Sequence, residues 1–311
     1  EFPELQGIMG SYYAERQGEK PGVVSALRQQ YEGAVEGCIP TCVALADRLD
    51  TLAAFFARGI KPTGSKDPFA LRRAALQTIQ TILANGTRLS LGEALAQAKA
   101  GLGGDAARLN VEELLEFFAD RLKVQQRDAG VRYDLIDAVF ALGGEDDLVR
   151  LLARVEALQQ FVETPEGADL LAAYKRAGNI LKKEKWDGEG VQGIPQTGDE
   201  DPHVLVDEPV VGDAVAELAT ASSLPADAPS EERSLAEALD SAEPKAIKAV
   251  VDEDFTVAMA ALATLRGPID AFFDQVTVND PDAQTRKRRL NLLARFRDAV
   301  DAVADFSKIE S

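Results

Sequence analysis

Histidine is almost absent. A single residue, His203, occurs in 311 residues, beside two cysteines, two methionines and one tryptophan. One histidine leaves no room for a histidine-rich metal centre, and Cys38 and Cys42 fall short of the four ligands of a structural zinc site. Two cysteines build no disulfide framework, so both are expected as ordinary thiols in a reducing compartment. No apolar run approaches the roughly 20 residues that span a bilayer, so no membrane partner is expected. No signal peptide opens the chain. It begins at Glu1 in mid-pattern, as a fragment or processed product would. The phosphate-binding and dinucleotide-binding glycine motifs and the G-x-S-x-G elbow are missing as well.

Bases are scarce next to acids. There are 34 Lys and Arg against 52 Asp and Glu, a formal charge of −18. At face value this argues against nucleic acid, whose phosphates are neutralised by Lys and Arg. The distribution changes that inference. Residues 187–243 hold 15 acids and one base, Arg233, whereas the remaining chain holds 37 acids and 33 bases. Screening confines a charge's field to about 8–10 Å at ordinary salt. Local basic tracks are therefore compatible with an acidic total.

What the chain does have is helical periodicity, and the expected class is all-α. Helices are expected over 22–31 (Val23, Leu27, Tyr31 on one face) and 40–58 (Val43, Ala46, Leu49, Ala53, Phe56). Another is expected from Asp67 as N-cap, with Pro68 at the first position, to about Leu83, with Phe69 on its buried stripe. Further helices follow at 90–99, where Ser90 and Glu93 form a capping box, then at 111–128, 132–141, 145–162 and 166–184. Residues 187–243 read as an acidic insertion or linker, with a helix at 209–221 carried by Val210, Ala214, Val215 and Leu218. Helical texture resumes near Pro244, with one helix at 254–274 and a last one at 282–304.

Candidate chemistry is of two kinds. Asp47 and Asp50 lie three apart on one helix, a spacing that suits acid–base work or a metal. The plainer reading pairs them with Arg48 and Arg58. The second kind is basic. Lys66, Arg72 and Arg73 combine a loop, a helix N-terminus and arginine forks that suit phosphate. Lys175, Asn179, Lys182 and Lys183 share a helical face, with Arg176 beside it. Arg286, Lys287, Arg288 and Arg289 form a run, followed by Arg295 and Arg297. Phe69 and Phe118 are expected in the core.

These segments carry a resemblance. Residues 1–14 (EFPELQGIMGSYYA), Ala44–Leu52, Pro62–Leu76, Asp134–Val139, Lys175–Leu181, Leu265–Asp274 and Val303–Lys308 follow in order the motifs of the β subunit of bacterial glycyl-tRNA synthetase. The chain resembles the C-terminal portion of that family. The resemblance implies the end of an HD-like helical domain at 1–62, without the histidines of a phosphohydrolase site. It implies a DALR-type anticodon-binding helical bundle in two parts, 63–186 and 244–311, around the insertion. It implies tRNA(Gly) and the synthetase α subunit as partners, in a cytoplasmic α2β2 assembly. The α subunit would use ATP with Mg, and no cofactor, metal or catalytic residue is expected in this chain. The tRNA-binding residues would be Lys66, Arg72, Arg73, Lys175, Arg176, Asn179, Lys182, Arg286, Arg288 and Arg289. The sequence departs from the family at Tyr174, at Ala177, in the motif Phe273–Asn279, where the family tends to have a Met, and in the length of the insertion. The competing readings are a protein-binding helical scaffold and a metal-dependent phosphohydrolase built on Asp47 and Asp50.

Overall fold

The computed structural model describes residues 2–143, 145–186, 224–225 and 228–310. Among them are thirteen α-helices and no strand. They are α1 (Ile8–Arg16), α2 (Pro21–Gln29), α3 (Cys38–Ala57), α4 (Leu71–Ala84), α5 (Leu91–Gly101), α6 (Val111–Asp128), α7 (Tyr133–Phe140), α8 (Leu148–Val162), α9 (Pro165–Lys183), α10 (Ser230–Val251), α11 (Phe255–Ala263), α12 (Arg266–Gln275) and α13 (Ala283–Asp301). The all-α expectation holds. The chain divides into two compact units, Glu1–Gln159 with Lys308–Ser311, and Gln160–Ser307. The expected boundary at 62/63 falls inside the first unit, between α3 and α4, which pack on each other. The helix expected at 209–221 and His203 lie outside the described residues.

In the first unit α3 is the central helix. Its buried face is Ala44, Leu45, Arg48, Leu49, Leu52, Ala53 and Phe56, while Val43 and Ala46 of the expected stripe are exposed. The shift has a cause in Arg48, which is only 4% exposed. Its guanidinium donates to the carbonyls of Gln30 (3.2 Å), Glu32 (2.5 Å), Gly33 (3.4 Å) and Gln77 (3.0 Å) and to Thr81 Oγ1 (2.9 Å). It thereby ties the chain after α2 to α4. Burial pulls its pKa below the usual arginine value, against the opposing field of Asp47. The hydrogen bonds satisfy carbonyls that would otherwise be stranded away from water.

Helix starts follow side-chain chemistry. Ser90 caps α5 by accepting from Glu93 N–H (3.1 Å), as the sequence implies, and Asp146 joins the cap by accepting from Gly92 N–H (2.8 Å). Asn110, Thr164, Asp254 and Asp282 cap α6, α9, α11 and α13.

The second unit corrects two expectations. Residues 230–243, placed in the acidic insertion, begin α10, and Pro244 lies inside that helix rather than at its start. Glu231 and Glu232 occupy the first turn, where acids complement the helix dipole. The single helix expected at 254–274 is two, α11 and α12, parted at Thr264 and Leu265. Pro268 explains the break. In a continuous helix its ring would crowd the carbonyl of Thr264 and it offers no N–H. The chain tightens instead, with Thr264 N–H donating to Ala261 O (3.3 Å) and Leu265 N–H to Leu262 O (3.0 Å). The expected inward residues of the last helix, Leu290, Leu293, Phe296, Val300 and Val303, are all buried.

Candidate nucleic-acid interface

Three basic clusters are candidates, and the fold treats each differently. The first sits in the first unit. Thr63 and Lys66 close a tight turn with backbone hydrogen bonds of 3.0 and 2.8 Å, with Gly64 at φ +51°. Arg72 donates to Gly64 O (2.7 Å), so its fork holds the turn. The expected helix start is corrected. Helix α4 begins at Leu71, after Ala70 in the left-handed region at φ 53°. Asp67 caps it from a distance, its carboxylate accepting from Leu71 N–H (2.8 Å) and Arg72 N–H (2.9 Å). The anion-binding end of this helix is thus filled by the chain's own carboxylate. Phe69 is also corrected. It lies outside the helix, 51% exposed, with its ring 4.6 Å from that of Phe55. Lys66 and Arg73 are exposed.

The aspartates of α3, Asp47 and Asp50, form no ion pair with Arg48 or Arg58 among the described contacts. Asp47 and Asp50 are exposed. Arg48 is committed to carbonyls, and Arg58 pairs with Asp105 at 2.7 Å. Among the described residues no group of three or more His, Cys, Asp or Glu is arranged to hold a metal ion. Cys38 and Cys42 are exposed free thiols.

The third cluster, on α13 of the second unit, turns inward. Arg289 is 8% exposed. It donates to Glu232 Oε1 (2.5 Å), Thr277 O (2.7 Å) and Asp280 Oδ2 (2.7 Å). Arg288 donates to the other Glu232 oxygen (2.8 Å), and Glu232 is fully buried. Arg295 reaches Glu243 (2.6 Å) and Asp240 (2.7 Å) of α10. Burial opposes its charge, but these hydrogen bonds outweigh it and raise its pKa. Arg297 meets Asp298 at 2.8 Å. Arg288 and Arg289, expected as tRNA contacts, are here engaged with carboxylates of the chain itself. Both side chains are bound to Glu232 and so tie α13 to the start of α10. Arg286 donates to Asn279 Oδ1 (3.3 Å) and has no carboxylate partner among the described residues.

The second cluster, on α9, stays outward. Leu170, Leu171, Ala173, Tyr174, Ala177 and Leu181 form the buried face. Arg176, Asn179, Lys182 and Lys183 are exposed, while Lys175 is half-buried. Arg176 has no carboxylate partner among the described residues. Its guanidinium lies 4.3 Å over the ring of Phe273 and donates to Phe273 O (3.4 Å). Lys182 and Lys183 occupy the last turn of α9, where cations complement the dipole. The inner face is fixed to α13 by Tyr174, whose hydroxyl donates to Asp301 Oδ1 (2.7 Å). Burial, then the hydrogen bond to Asp301, raise the tyrosine pKa. Burial raises that of Asp301 to about 6, against the hydrogen bond from Tyr174.

Sequence reading misses the partners that sort these clusters. Phe273 stands out only within a motif, and Glu232 falls in the expected linker. The signal for Glu232 is nonetheless present. Pro229-Ser230-Glu231-Glu232 reads as a helix start, and Leu235, Leu239, Ala242 and Ala246 repeat at helical spacing and are buried.

Comparisons with known proteins divide along the same line as the two units. A family model described as glycyl-tRNA synthetase beta subunit matches residues 1–141. One described as DALR anticodon binding domain matches residues 170–306. The cluster at Lys66, Arg72 and Arg73 thus falls in the first match, and the clusters on α9 and α13 fall in the second. Similar proteins include the glycine–tRNA ligase beta subunits of Rhodospirillum centenum (47% identical), Phenylobacterium zucineum (46%) and Paracoccus denitrificans (45%). Those alignments cover 100%, 99% and 100% of this chain and 41% of each relative. The chain spans about two fifths of the length of these curated relatives.

Proposed function

Since the chain belongs to the glycyl-tRNA synthetase β subunit family, with a DALR anticodon binding domain over 170–306, we propose that it is the tRNA-binding portion of a glycine–tRNA ligase β subunit. In this reading it engages tRNA(Gly) and positions it for ATP-dependent glycylation on the α subunit. The assembly is a cytoplasmic α2β2 ligase, and ATP with Mg is used by the α subunit. This chain supplies no reacting group.

One observation supports the reading best. In the unit matched by the anticodon-binding model, α9 presents Arg176, Asn179, Lys182 and Lys183 outward with no carboxylate partner among the described residues. Arg286, also free of a carboxylate, is held at Asn279, six residues beyond the Phe273 that holds Arg176. Phosphate contacts fix register, and unpaired loop bases carry the sequence information in RNA. Lysines at the end of α9 suit the first task, and an arginine and an asparagine one turn apart suit the second. Lys66 and Arg73 of the first unit are offered as further phosphate contacts.

The test is tRNA(Gly) binding at several salt concentrations with Lys182→Glu and Lys183→Glu together. The expected result is weaker binding, with a log–log salt slope shallower by about two, roughly one for each phosphate no longer neutralised. Unchanged affinity and slope would remove α9 from the interface. A protein-binding scaffold would show no tRNA binding even with the α subunit present.

A further inference from the structure

Five arginines of the second unit are tied to a carboxylate, and Arg286 is held by the carboxamide of Asn279. Arg266 pairs with Asp169, Arg288 and Arg289 with Glu232, Arg295 with Glu243, and Arg297 with Asp298. Arg176 is held by an aromatic ring instead. The difference matters chemically. A carboxylate partner neutralises a guanidinium and occupies its N–H fork. A ring beneath it does neither. It holds the group in place by attraction to the ring and leaves its charge intact. Phe273 is 8% exposed and packed among the buried residues of α12, so the support is rigid. The hydrogen bond from Arg176 to Phe273 O, at 3.4 Å, restrains the group further. Arg176 itself is exposed.

We infer that Arg176, held over the ring of Phe273, is a stacking platform for one unpaired base of the bound RNA, and that Asn179 reads the edge of that base. The inference rests on the tRNA-binding reading and adds a base-specific subsite to it. A base laid on the open face of the guanidinium completes a three-layer stack of base, guanidinium and phenyl ring. Asn179 lies three residues on, on the same face of α9, and its carboxamide offers a donor beside an acceptor. Lys182 and Lys183 continue along the helix and suit the flanking phosphates. Lysine at 176 would keep the charge but lose the plane, because an ammonium is a point charge on a flexible stem. The platform is therefore separable from electrostatic attraction.

The experiment uses the full-length protein and a stem-loop RNA carrying the anticodon loop of tRNA(Gly), with each loop nucleotide in turn made abasic. Affinity is read by fluorescence anisotropy. Arg176→Lys is expected to weaken binding roughly 5- to 150-fold, the range of one lost base stack. One abasic position should weaken the unaltered protein by a similar factor and leave R176K no weaker than before. Phe273→Leu should reproduce R176K while keeping the site apolar. Asn179→Ala should keep most of the affinity but flatten the preference among bases at the same position. Arg176 is exposed, so the melting temperature of R176K should match that of the unaltered protein. Binding by R176K equal to that of the unaltered protein would overturn the platform, as would abasic penalties that add to R176K at every position. If the unaltered protein binds no tRNA at all, the tRNA reading itself fails and the platform falls with it.

Discussion

Helices α9 and α13 carry similar basic runs and put them to opposite uses. On α9, Arg176, Lys182 and Lys183 face solvent. On α13, Arg288, Arg289, Arg295 and Arg297 are spent on Glu232, Asp280, Glu243, Asp240 and Asp298. The denser run, and the more obvious RNA-binding motif by composition, is the structural one. The difference lies in the neighbour. Helix α10 brings acids up to α13, and α9 meets an aromatic side chain at Arg176. Basic density is thus a poor guide to a nucleic-acid face unless the carboxylates facing it are known.

The sharpest way to break this contrast is Arg289→Leu. It leaves the fully buried Glu232 with only Arg288, and removing one partner of a buried ion pair costs about 3–5 kcal/mol. Urea unfolding should show that loss. A variant as stable as the parent would mean the α13 run is not structural. On α9, the double change of Lys182 and Lys183 to Glu should lower tRNA affinity about 10- to 100-fold while leaving the urea midpoint near its original value. A large stability loss there would erase the contrast from the other side.

The pair that joins the two helices gives a pH test. The pKa of Asp301 is raised to about 6 by burial, above that of an unfolded aspartate near 4. The folded state therefore binds the extra proton between about pH 4 and pH 6. Stability contributed by this group is present at low pH and falls as pH rises through that window, by up to about 2 kcal/mol after allowance for water screening. Asp301→Asn should remove this descending component from unfolding curves measured across the window. A stability profile identical to the parent's would count against the burial of this carboxylate. The smallest effect is expected at Arg297→Ala, whose pairs with Asp298 and Asp301 are partly exposed, with a loss under about 1 kcal/mol in thermal unfolding.

Much of the fold is legible in the sequence because helices are read from local spacing. The ranges of α6, α8, α9 and α13 follow their apolar periodicity closely, and Ser90 caps α5 as its capping box implies. The misreadings cluster where a local signal has two outcomes. Asp67 before Pro68 fits an N-cap, yet it caps from four residues upstream because Ala70 turns the chain first. Phe69 fits an apolar stripe, yet the same turn puts it outside the helix. Pro268 signals a break only when weighed against the strong stripe running through it. Arg48, polar on a helix, reads as an ion-pair partner of Asp47 and Asp50, but five backbone and hydroxyl acceptors draw it inward.

By itself the sequence determined the helical class, most helix boundaries, the acidic concentration in residues 187–243 and the ordered motifs that carry the family relationship. These depend on residues a few positions apart, whose interactions one chain segment contains in full. Tertiary structure alone decided which arginines remain available to a ligand. Arg289 and Glu232 are 57 residues apart, and Arg176 and Phe273 are 97 apart. A guanidinium has the same composition and helical position whether it meets a carboxylate or a ring. Only the packing of α9, α10, α12 and α13 brings one or the other within reach, and Coulomb and dispersion forces act on that distance, not on separation along the chain.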